Sequence, residues 1–88
     1  MIKDKEVAIV SSSSKALEVL DITPNVSVED LIKKLVPVIE VKEEYKLVVI
    51  ASINESYKLK KKEKNLSKKQ IIQKVLSNLK DIDLSISG

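Results

Sequence analysis

Residues 46–52, Lys46-Leu47-Val48-Val49-Ile50-Ala51-Ser52, decide the fold. Leu47 through Ala51 form an unbroken apolar run, and three of its five residues are β-branched. A short run of this kind, bounded by polar residues, predicts a strand in the middle of a sheet. Asn54-Glu55-Ser56 has the composition of a turn. Residues 57–61, Tyr57-Lys58-Leu59-Lys60-Lys61, then predict a short strand whose lysines protect a sheet edge.

Outward toward the N-terminus, Glu6-Val7-Ala8-Ile9-Val10 predicts a first strand, and Ser11-Ser12-Ser13-Ser14 a turn. Residues 16–22 suit strand or helix by propensity, because Ala, Leu and Glu favour helices. The turn-like serines before them and Thr23-Pro24-Asn25 after them favour strand, since proline biases its predecessor toward extended geometry. Ser27-Val28-Glu29-Asp30-Leu31-Ile32-Lys33-Lys34-Leu35 predicts a helix. Ser27 is its N-cap, Glu29 and Asp30 suit the positive pole of its dipole, and Val28, Leu31, Ile32 and Leu35 form one apolar stripe. Pro37 should stop or kink it. Residues 38–44 suit either a short extended segment or an irregular return.

Toward the C-terminus, Ser67-Lys68-Lys69-Gln70 matches a capping box. Ile71, Ile72, Val75, Leu76 and Leu79 follow it as a helical stripe. Residues 81–87 alternate, with Ile82, Leu84 and Ile86 on one face, and predict a final strand. The order is β-β-α-β-β-α-β. It describes an α+β roll: one domain over residues 1–88, a mixed sheet with the main helix across one face, and no internal repeat or linker.

Leu17-Glu18-Val19 followed by Pro24, Ser27-Val28-Glu29 and Leu31, with Leu35 one turn later, resembles the second strand and capped helix of the ubiquitin-like β-grasp family. Leu47-Val48-Val49-Ile50-Ala51 resembles that family's third strand. Leu66-Ser67-Lys68-Lys69-Gln70-Ile71 is similar to the Leu-Ser-x-x-Asn-Ile element before the last strand of ubiquitin. The similarity runs over most of residues 7–88. Two departures stand out. The helix at 67–79 is longer than the family's single-turn element, and Ser87-Gly88 ends the chain where conjugated modifiers carry an exposed Gly-Gly tail.

The resemblance implies a non-enzymatic protein-interaction domain or small accessory subunit. Its partner would be a protein bound on the outer face of strand 47–51 through Leu47, Val49 and Ala51, together with the Lys-rich segment beside it, while Val48 and Ile50 point the other way. It also implies an alternative, a modifier or sulfur carrier whose C-terminal glycine is activated by an adenylating enzyme. Gly88 is the sole glycine, and a residue without Cβ can enter a narrow channel. The shortened tail fits equally well a residue that simply ends the chain.

Composition removes other classes. The 88 residues contain neither cysteine nor histidine, which excludes disulfides and thiolate nucleophiles and removes the commonest general base and metal ligand. Glu40, Glu43 and Glu44 with Lys42 form no evident acid–base pair, and the serine run lacks the glycines of a phosphate loop or nucleophile elbow. No enzymatic activity, metal or cofactor is therefore expected. No apolar run approaches the ~20 residues that span a membrane, which points to the cytoplasm. The core must be aliphatic, with eleven Ile, eleven Val and ten Leu but no Phe or Trp. A Lys- and Ile-rich, Cys-free chain suits a thermophile, although A/T-rich coding sequence gives a similar bias.

Charge is concentrated. Residues 1–57 carry seven Lys against ten acids, whereas residues 58–69 carry seven Lys against Glu63 alone. Lys58, Lys60, Lys61, Lys62, Lys64, Lys68 and Lys69 thus form a basic patch. It suits a solvated, edge-protecting segment, an acidic protein partner or, more weakly, nucleic-acid phosphates. With no arginine in the chain and Tyr57 the only nearby aromatic, base readout and stacking lack support.

Overall fold

The structure, a computed structural model, describes residues 1–82. Four α-helices build it: α1 (Lys5–Ile22), α2 (Val28–Leu35), α3 (Lys46–Lys62) and α4 (Lys68–Leu79), with 3-10 turns at Val36–Val38 and Glu43–Tyr45. No strand occurs among the described residues; the sole β feature is a parallel bridge between Ile2 and Val41. The expected α+β roll and the resemblance to the ubiquitin-like β-grasp family are therefore overturned. The domain is all-helical. The final strand expected over 81–87 falls largely outside the described residues.

The two long helices correct the strand assignments. The segments expected as strand 6–10, turn 11–14 and strand 16–22 are one continuous helix, α1. Strand 46–52, turn 54–56 and strand 57–61 are likewise one helix, α3. On α3 the buried residues are Val48, Val49, Ser52, Ile53 and Ser56, a helical stripe in which serine takes two core positions. On α1 the stripe is Ala8, Ile9, Ser12, Ser13, Ala16, Leu17 and Leu20. A buried serine is tolerated in mid-helix when its hydroxyl bonds back to the preceding turn. Ser12 Oγ donates to the Ala8 carbonyl at 2.6 Å, and Ser52 Oγ to the Val48 carbonyl at 2.7 Å. Tertiary burial thus overrides the β-branched preference of 47–50 for extended backbone.

The capped helices stand as expected. Ser27 Oγ accepts from the Asp30 amide at 3.2 Å, and α2 buries Leu31 and Leu35 before Pro37 diverts the chain into a 3-10 turn. Both halves of the Ser67–Gln70 capping box are formed, and α4 buries Ile71, Val75 and Leu79.

The chain is also an internal repeat, contrary to the sequence expectation. Buried positions recur at a spacing of forty residues: Ala8 with Val48, Ile9 with Val49, Ser12 with Ser52, Ser13 with Ile53, and Ala16 with Ser56. The series continues through Leu31 with Ile71, Leu35 with Val75, and Ile39 with Leu79. The joints match as well. Thr23 and Glu63, equivalent residues, cap α1 and α3 with φ/ψ of −129/76° and −118/84°. Their amides donate to Val19 and Leu59, and their carbonyls accept from Val26 and Leu66. Neither joint needs a positive φ, so neither needs glycine.

The two helical hairpins, α1–α2 and α3–α4, meet chiefly along α1 and α3. The short side chains of Ala8, Ser12, Ala16, Ser52 and Ser56 keep the buried faces of those helices low, which permits close approach. Their direction is fixed at both ends. Ahead of them, the Ile2 amide donates to the Glu40 carbonyl at 2.8 Å and the Lys42 amide to the Ile2 carbonyl at 3.0 Å. At their far ends, Lys60 pairs with Asp21. The long helices therefore run side by side in the same sense, and the two joints lie at one end of the molecule.

Candidate functional site

That end carries the basic patch. Lys58, Lys60, Lys61 and Lys62 occupy the last turns of α3, Lys64 the joint, and Lys68 and Lys69 the first turn of α4. The three lysines in the last turn of α3 complement the negative pole of its dipole. Lys68 and Lys69 do the reverse at the positive pole of α4. The equivalent first turn of α2 holds Glu29 and Asp30, the favourable arrangement. The first turn of α4 thus carries cations at the pole where they are disfavoured.

The two joints differ sharply in charge. Residues 18–30 contain four acids and no lysine; the equivalent residues 58–70 contain seven lysines and one acid. Glu18, Asp21 and Glu29 correspond to Lys58, Lys61 and Lys69, a reversal of sign at three matched positions. The acidic joint lies against the basic one. Lys60 Nζ lies 3.3 Å from Asp21 Oδ1, and Lys68 Nζ 3.5 Å from Glu18 Oε1. Lys61 donates to the Pro24 carbonyl and sits 5.5 Å from the centre of the Tyr57 ring. Glu63, the one acid in the patch, is taken up by Lys74 at 3.2 Å. Lys58, Lys62, Lys64 and Lys69 are exposed and have no acidic partner among the described residues. Pairs as exposed as these contribute little to stability and release their lysines at small cost.

The other predicted residues are dispersed. Once 46–62 is helical, Leu47 and Ala51, four residues apart, keep one face while Val49 leaves it: Leu47 is exposed, Ala51 is half-buried and Val49 is buried in the core. The single strand face expected to bind a protein is therefore divided between surface and core. Gly88 lies outside the described residues, and the handle inferred for it lost its basis with the β-grasp resemblance. Ser12 and Ser13 are buried inside α1. Lys42 pairs with Glu44 and Lys46 with Glu43 on the surface. Among the described residues no group of three or more acids could hold a metal ion, and no helix is long and apolar enough to cross a membrane.

Sequence reasoning missed the first joint's share of the site. Between the two joints lies an open cleft of about 310 Å³, lined by Leu20, Pro24, Lys60, Lys61 and Lys64. The signal that pairs the joints is Asn-x-Ser, at 25–27 and again at 65–67. No family model, curated protein or solved structure matches the chain.

Proposed function

We propose that this chain is a non-enzymatic binding module that docks on an acidic protein partner through the lysine-bearing end of its second hairpin. One observation carries the reading: matched positions of the repeat have opposite charge, and the basic copy sets lysines on a helix N-terminus where they oppose the dipole. Local rules are broken in this way where function outweighs stability. An acidic surface would meet four exposed lysines without acidic partners among the described residues and would draw on the paired ones as it approached. Such charge complementarity sets the rate and the selectivity of docking more than its strength.

The test uses the full chain and a fluorescein-labelled peptide of alternating glutamate and serine, followed by anisotropy across a salt series. Binding at low salt that weakens roughly tenfold on entering the 0.3 M range is expected, since screening shortens the reach of exposed charges. A variant with Lys62, Lys64 and Lys69 all changed to Glu should not bind. Absence of binding at low salt, or a triple variant that binds as well as the parent, contradicts the reading.

A further inference from the structure

The cleft between the joints straddles the internal symmetry. Leu20 and Lys60 are equivalent residues of the two hairpins, as are Pro24 and Lys64. One wall is therefore apolar and comes from the first hairpin; the other is cationic and comes from the second. Equivalent positions of the two hairpins thus face each other with complementary chemistry.

We infer that this cleft takes a side chain from an acidic peptide segment, with an aliphatic residue against Leu20 and Pro24 and flanking carboxylates on Lys60 and Lys64. The inference rests on the proposed docking function and adds its anchor. Charge alone gives a loose association, whereas an interface gains affinity where a few apolar groups are desolvated. In the cleft Pro24 is the apolar group still open to solvent, beside Leu20, which is already buried. Ile22, between them in the chain, is 83 % exposed, the most exposed large apolar residue described. Of the three lysines, Lys61 is already held by the Pro24 carbonyl and Lys60 by Asp21, while Lys64 is unengaged among the described residues. A ligand carboxylate would bind Lys64 first and share Lys60 with Asp21. At about 310 Å³ and open to solvent, the cleft suits an anchoring side chain better than an enclosed small molecule.

The experiment compares three labelled probes on the full chain at one salt concentration: a Glu/Leu alternating peptide, a Glu/Ser peptide of equal charge, and a single-stranded DNA oligonucleotide of equal charge. The Glu/Leu peptide should bind about tenfold more tightly than the Glu/Ser peptide, the gain from burying one aliphatic side chain in part. Pro24→Ser should reduce that ratio toward one. Lys64→Glu should weaken both peptides. Equal affinity for the two peptides, with the Lys64→Glu loss retained, overturns the cleft and leaves the docking function standing. Failure of both peptides to bind overturns both, as does tightest binding to the DNA.

Discussion

Ser12 and Ser52 occupy the same place in two halves of one chain. Both have zero exposure, and each hydroxyl donates to the carbonyl four residues earlier, Ala8 and Val48. A pair of small, internally satisfied side chains at the buried faces of α1 and α3 fixes how near those helices come. Enlarging either should force them apart. Ser12→Leu and Ser52→Leu are each expected to cost about 3 kcal/mol, by overpacking, and to cost similar amounts because the sites are equivalent. Urea denaturation of the two variants checks this; a strong asymmetry would argue against the repeat.

Ser13 differs from its neighbours. Its hydroxyl is buried with no partner among the described residues, and Ile53 fills the equivalent site. Leaving such a group unsatisfied costs roughly 1–3 kcal/mol. Ser13→Ala should therefore leave stability unchanged or raise it by up to about 1 kcal/mol. A fall in the thermal midpoint would indicate a hydrogen bond at that hydroxyl.

Val49 and Leu47 separate the helical account from a strand with an exposed face. Val49 is 1 % exposed and Leu47 41 %. A buried unpaired carboxylate costs several kcal/mol, on the order of the stability of a domain this small. Val49→Asp should unfold the protein, and Leu47→Asp should leave its circular dichroism unchanged. Tolerance of both would place Val49 on a surface.

At the start of α4 two effects oppose each other. Ser67→Ala removes the cap that accepts from the Gln70 amide and should cost about 1 kcal/mol. Lys69→Asp restores a favourable charge at the helix pole and should gain about 0.5 kcal/mol at low salt. The same substitution should weaken binding of acidic peptides. A variant gaining stability and losing affinity is what a charge placed for binding predicts; unchanged binding would mark Lys69 as a solvated residue only.

How much of this was legible follows from where each signal resides. The caps at Ser27 and Ser67 were readable because capping is local chemistry between residues three apart. The lysine patch was readable because it is contiguous. The long helices were not. Their core faces contain Ser12, Ser13, Ser52 and Ser56, which interrupt the apolar period that marks a helix. The remaining runs, such as Val48-Val49-Ile50, then carry a strand-like composition. The repeat was hidden for a related reason. Between residues 8–39 and 48–79 only Ser12, Asn25, Ser27, Ile32 and Lys34 are matched by the same residue, so the kinship lies in burial rather than identity. Without it, nothing in the sequence brings Leu20 and Pro24 beside Lys60 and Lys64.

Backbone NMR assignment of the full chain tests the central claim most directly. The account predicts continuous helical Cα shifts through Ser11–Ser14 in α1 and through 46–62 in α3, with cross-peaks joining Ile2 to Val41. Extended-backbone shifts over 46–52, or a break in the helix at Ser11–Ser14, would contradict it.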